Sequence, residues 1–147
     1  SAEAVTTWGQ RHVPNLPTEE VFTTPDRRRA EGVVRSTRPL GLKGTLIRDL
    51  AMTFRDGRIV EVAASAGEDA VRAQLETDDG AVRLGEVALV DGSSAVGRTG
   101  ITFLNTLFDE NATCHIAYGA GFPLFAVGNE EHVNSSAVHT DFMIGGP

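Results

Sequence analysis

The last apolar stretch of the chain, SSAVHTDFMIGG from Ser135 to Gly146, carries an imidazole and a carboxylate in its middle. His139 and Asp141 stand two residues apart. In a strand, residues i and i+2 share a face and are displaced by roughly 6–7 Å. Ala137, Val138, Phe142, Met143 and Ile144 around them read as a buried strand. Burying a carboxylate without a partner costs several kcal/mol, so a cation or a metal belongs beside it.

Other ionisable residues sit in equally apolar company. Glu86 lies inside LGEVALV, with Ala88 and Val90 on its own face of a strand. Its plain alternative is a strand-end carboxylate that reaches solvent or pairs with Arg83. His115 opens the apolar run HIAYG, just after Asp109-Glu110-Asn111. Its alternative is a hydrogen-bonded core histidine. Glu19 and Glu20 precede Val21-Phe22, where a solvated helix start capped by Thr18 is the competing reading.

One object would explain several of these oddities together. Two imidazoles and three carboxylates form a mixed nitrogen and oxygen ligand set. Such a set suits Zn²⁺, Co²⁺ or Mn²⁺ and argues against Ca²⁺ or a thiolate site. Five side chains are enough for two cations about 3.5–4 Å apart if one carboxylate bridges them. The compact HExxH pattern is absent, as are a GxSxG elbow and a phosphate-cradling glycine loop. Cys114 precedes His115, but adjacent strand residues point to opposite faces, so a Cys–His dyad is disfavoured. His12 and His132 lie in polar, loop-like stretches and read as surface residues.

The elements that must position these groups are short. Residues 1–30 read as irregular, punctuated by Pro14, Pro17 and Pro25. EGVVRST, residues 31–37, reads as a strand. Residues 46–64 read as a hairpin around Asp56-Gly57, a strong two-residue turn signal. GEDAVRAQLETDDG, residues 67–80, reads as a helix with Val71 and Leu75 on its buried side and Gly80 as its stop. RLGEVALV predicts a strand ended by DGSS, TFLNTLFDEN a short helix, and CHIAYG another strand. A loop from Gly119 to Asn134 leads to the final strand. The sum is a single α+β domain with a mixed or mainly antiparallel sheet and a few helices.

The 147 residues can bury a sizeable core. The formal net charge of -7 excludes a general phosphate-binding surface, and no nucleic-acid partner is expected. Arg27-Arg28-Arg29 is the only basic run and reads as a solvated turn or helix start. One cysteine rules out an internal disulfide and fits a reducing, cytoplasmic setting. No membrane-spanning run and no signal peptide are visible.

The segments PNLPTEEVFTTPD, LGEVALVD, NTLFDENATCHIAYG and NSSAVHTDFMIGG resemble, in this order, the M29 family of metallo-aminopeptidases, the aminopeptidase T and S group. FRDGRIVEVAASAGEDAV and LETDDGAVRLGE share the likeness, which runs from about Pro14 to the end. The resemblance implies removal of N-terminal residues from peptides at a dinuclear divalent metal site, with Zn, Co or Mn as cofactor, in a homodimer. Carried over by motif, the implied metal ligands are Glu20, Glu86, His115, His139 and Asp141, with Glu86 as the candidate bridge. Glu19 is the candidate proton carrier, and Asp109 and Glu110 are candidate acceptors for the ligating histidines, with surface exposure as their competing reading.

Two departures follow from the same resemblance. The family places a tyrosine near the metal centre shortly after the CHIA strand, and the matching position here is Phe122, which has no hydroxyl. Tyr118 is nearby, but strand alternation turns it away from His115. The resemblance also implies that residues 1–147 correspond to the C-terminal, metal-binding domain, with the family's N-terminal domain expected to be absent. A catalytically silent metal-binding or dimerisation module is therefore the alternative expectation.

Overall fold

The computed structural model describes residues 4–12 and 18–145. The expected punctuation by Pro14 and Pro17 lies outside the described residues. Among its described residues, the segment read as irregular contains three short strands: β1 (Ala4–Val5), β2 (Arg11–His12) and β3 (Glu20–Thr23). Glu20 thus opens a strand rather than a helix. Arg27 and Arg28 lie in a turn, where Arg28 pairs with Asp26 at 3.0 Å.

The expected strand after Ala30 is β4 (Gly32–Arg35). A hairpin that the sequence reading missed follows it, β5 (Leu40–Leu42) and β6 (Thr45–Ile47). Its turn is Lys43-Gly44, both in the left-handed region. The expected hairpin is β7 (Ala51–Arg55) and β8 (Arg58–Ala63), turned at Asp56-Gly57 with φ of 49° and 74°. Helix α1 covers Glu68–Leu75. Strand β9 (Leu84–Val90) comes next, then the short helices α2 (Ala95–Arg98) and α3 (Thr106–Asp109). The chain ends in β10 (His115–Gly119) and β11 (His139–Met143).

Pairing among the described strands is antiparallel, within the α+β class expected. Four strands form one sheet in the order β11-β10-β9-β3, and three form another in the order β4-β7-β8. One apolar cluster joins Ile47, Leu50 and Met52, Val71 of α1, and Ile116, Tyr118 and Phe142 of the four-stranded sheet. That sheet therefore gives one face to the core. β10 is buried along its whole length, so its other face is covered as well.

Register decides what meets on that second face. Glu20 pairs with Val90 and Phe22 with Ala88 across β3 and β9. His115 pairs with Ala88, and Ala117 with Glu86, across β9 and β10. Ala117 also pairs with Asp141, and Gly119 with His139, across β10 and β11. Directly opposed residues point to the same side of a sheet. Glu20, Glu86, His115, His139 and Asp141 therefore share one face, and Ile116, Tyr118 and Phe142 share the other.

Candidate metal centre

The five predicted ligands converge. His115 Nε2 lies 3.0 Å from Glu20 Oε2 and 3.5 Å from Glu86 Oε1. His139 Nε2 lies 3.5 Å from the other Glu86 oxygen, Oε2, and 3.4 Å from Asp141 Oδ1. Two triads result, Glu20–Glu86–His115 and Glu86–His139–Asp141. Within each, the ligand atoms all lie within 4.8 Å of one another. Glu86 belongs to both and turns one oxygen toward each histidine. Arg83, its alternative partner, bonds the Arg27 carbonyl instead, at 2.9 Å.

Small residues make this convergence possible. Ala117 is the cross-strand neighbour of both Glu86 and Asp141 and is fully buried between them. Its methyl group leaves room above the strand for two carboxylates to lean inward. Gly85 does the same for a loop. A Cβ there would stand 2.0 Å from the Ala120 carbonyl oxygen, so only glycine lets that carbonyl close on the strand.

Backbone carbonyls orient both imidazoles. His115 Nδ1 lies 3.2 Å from the Thr113 oxygen, and His139 Nδ1 lies 2.8 Å from the Ala120 oxygen. A carbonyl only accepts, so each Nδ1 carries the hydrogen, and each ring in its neutral form aims its Nε2 lone pair at the carboxylates. Two sets of lone pairs facing each other at 3.0–3.5 Å repel unless a cation or a proton stands between them. His115 Nε2 is buried, and among the described residues no hydrogen bond of satisfactory geometry ends on it.

The electrostatics agree. Burial alone would lower the pKa of His115, but the Glu20 and Glu86 carboxylates outweigh it and lift the group to about 10. Burial is likewise outweighed at His139, mainly by Asp141, and that ring rises to about 9. Burial raises the Glu86 carboxyl, His115 opposes the rise, and the negative charges of Asp141 and Glu20 add to it. The site favours positive charge. Its donor set of two neutral imidazole nitrogens and three carboxylates fits divalent Zn, Co or Mn.

Of the other residues singled out, some depart from expectation and some match it. Asp109 and Glu110 are buried rather than surface-exposed. Asp109 accepts the N–H groups of Phe103 (2.8 Å) and Asn105 (3.1 Å) and so braces its own loop instead of a histidine. The Glu19 carboxylate accepts the Ala95 N–H at 2.7 Å. His12 is exposed. His132 stands apart from the cluster, 3.3 Å from Glu131. Tyr118 points into the core, where its hydroxyl donates to Gln74. Ala117, Gly85 and the two carbonyls were missed. A glycine inside a strand pattern was an available signal for Gly85, whereas the carbonyls of Thr113 and Ala120 leave none.

The comparisons with known proteins point the same way. The family model described as thermophilic metalloprotease (M29) matches residues 1–147. The chain belongs to the M29 family. Aminopeptidase T of Thermus thermophilus is 50% identical over 139 residues, covering 90% of this chain and 34% of that protein. Aminopeptidase PepS of Streptococcus thermophilus is 47% identical over 154 residues, covering 99% of this chain and 37% of that one. Among solved structures, wild-type AmpT from Thermus thermophilus superposes with a TM-score of 0.86 at 49% identity, over 97% of this chain and 37% of that chain. The M29 chain described here thus spans about a third of the length of these relatives. Among the described residues, no helix is long and apolar enough to cross a membrane.

Proposed function

We propose that residues 1–147 are the metal-bearing, C-terminal domain of an M29 aminopeptidase, acting on the N-terminal residues of peptides through two divalent ions. Glu20, Glu86 and His115 would hold one ion, and Glu86, His139 and Asp141 the other. The observation that supports this most is the shared carboxylate, with one Glu86 oxygen facing each histidine. Two such ions would supply Lewis acidity, lowering the pKa of a water and polarising a scissile carbonyl.

The chain's own residues do the positioning. The Thr113 and Ala120 carbonyls hold the Nδ1 hydrogens and so turn both Nε2 atoms toward the carboxylates, where a divalent ion would displace the Nε2 proton. Burial of His115 excludes water from the inner half of the site, while His139, about one-third exposed in its side chain, leaves the outer half open to a peptide end. Glu19 is held by Ala95, which argues against the proton-carrying role. A dimeric state and a cytoplasmic setting belong to the same proposal. They rest on the resemblance and on a single cysteine that offers no internal disulfide.

Metal analysis tests the site. The purified chain holds up to two divalent ions, and His139→Ala removes at least one. Full occupancy in that variant would take the His139–Asp141 pair out of the site. Turnover of aminoacyl-p-nitroanilides, stimulated by Co²⁺ or Zn²⁺, tests the activity.

A second reading, a catalytically weakened metal-binding module, draws on Phe122. Its ring centroid lies 5.2 Å from that of His139 and brings no hydroxyl to the site. Under this reading Phe122→Tyr raises turnover. Unchanged turnover in that variant removes this support.

A further inference from the structure

Phe22 and Phe122 form an aromatic wall beside the ligand cluster. Phe22 stands in the cross-strand row Phe22–Ala88–His115, so register puts it on the face that carries the carboxylates. Phe122 arrives from the loop after β10. Its ring meets Phe22 edge-on at 5.6 Å and the His139 imidazole edge-on at 5.2 Å. It nevertheless remains 38% exposed.

This half-exposed ring is firmly placed. Four consecutive residues leading to it donate their backbone N–H groups. Gly119 bonds the Arg83 carbonyl (2.7 Å), Ala120 that of Val138 (2.6 Å), Gly121 that of Asn134 (2.8 Å), and Phe122 the Thr24 hydroxyl oxygen (2.9 Å). An apolar surface that keeps 38% of its exposure at Phe122 is therefore held next to a candidate metal ligand. Binding to such a surface avoids the cost of ordering it.

Its position selects what it can contact. If the amine and the scissile carbonyl of a peptide's first residue both approach the cluster, the Cα between them is held there too. Its side chain must then leave alongside a ligand, and the Phe122 ring is an apolar surface that touches one. Val21 and Leu89, an exposed apolar cross-strand pair, project from the opposite face and are out of reach.

We propose that the Phe22–Phe122 pair is the subsite for the first side chain of the substrate, and that it favours aliphatic and aromatic side chains over small or acidic ones. This rests on the aminopeptidase reading above.

The test is calorimetric binding of glycine, aspartate, leucine and phenylalanine hydroxamates to the Zn²⁺-loaded chain, with metal content measured on each sample. Leucine and phenylalanine hydroxamates are expected to bind about tenfold or more tighter than the glycine compound. Phe122→Ala and Phe22→Ala should each bring that ratio toward one, and Phe122→Leu should preserve most of it. Equal affinity for all four compounds, or an undiminished ratio in both alanine variants, overturns the subsite and leaves the metal centre standing. Failure of every hydroxamate to bind overturns the aminopeptidase reading, and the subsite falls with it.

Discussion

Gly85 lies directly under the carbonyl of Ala120, so close that an added Cβ would stand 2.0 Å from the oxygen. That same oxygen faces His139 Nδ1 at 2.8 Å. A missing side chain in one strand thus helps to set the tautomer of an imidazole in another. Gly85→Ala must push the carbonyl away and release the ring. Loss of such an outer partner typically costs 10–100-fold in metal affinity. Zn²⁺ competition against a chromophoric chelator should show a loss of about that size, with the His115 side of the site less affected. Unchanged affinity would mean that the carbonyl does not orient His139.

Ala117 separates Glu86 from Asp141 by no more than a methyl group, and it is fully buried. Ala117→Leu fills the space into which both carboxylates lean. Overpacking of this kind costs about 1–3 kcal/mol, and it should also remove at least one bound ion per chain. Ala117→Ser, nearly the same size, should keep the metal content of the parent chain. Metal analysis on the folded variants checks the pair, and a leucine variant with full metal content would show that the carboxylates do not need that space.

How much of this was legible in the sequence differs from residue to residue. His139 and Asp141 announced themselves because an imidazole and a carboxylate two apart inside an apolar run are costly to bury without a cation, and Glu86 did so for the same reason. Glu20 did not. Its strand has four residues and gains its place by pairing with β9, far along the chain, so local pattern alone offered a capped helix. The β5–β6 hairpin was hidden because Lys43 adopts a φ of 47°, which glycine or asparagine usually signals. The helix read over residues 67–80 stops at Leu75, because the Asp78 carboxylate takes the N–H groups of Gly80 and Ala81 into a turn. The helix read over residues 102–111 shortens to α3 and one 3₁₀ turn directly behind it, Glu110–Ala112. Asn105 caps it at the Leu107 N–H, and Leu104 before it sits at a φ of 57°. Periodicity reported the long strands, while side-chain capping and distant pairing settled the rest.

Asp78 also ties down the segment that leads into β11. Its carboxylate accepts the Ala137 N–H (2.7 Å) and the Ser136 hydroxyl (2.8 Å). These bonds, led by that of Ala137, hold its pKa below the ordinary 3.8. A group with a depressed folded pKa contributes stability that is present above its unfolded pKa and is lost as pH falls through the folded value. Asp78→Asn should therefore lower Tm at neutral pH, and the gap from the parent chain should close as pH drops below about 4. Thermal melts across that range check the sign. A gap that widens in acid would contradict it.

Tyr118 is the chain's single tyrosine and lies three residues beyond His115, yet its hydroxyl belongs to the core. It donates to Gln74 Oε1 on α1, which also accepts the Thr140 hydroxyl at 3.1 Å, and its ring packs against Phe142 at 6.4 Å. Burial accordingly raises the phenol to about 12. Tyr118→Phe removes one buried hydrogen bond and leaves Gln74 its second partner, so the cost should be about 1 kcal/mol. Because the sheet separates this hydroxyl from the ligand face, metal content and hydroxamate affinity should stay at the level of the parent chain. Urea unfolding and metal analysis on one preparation decide the matter. Lost metal at unchanged stability would put Tyr118 on the functional side of the sheet and break the assignment of faces on which the site is built.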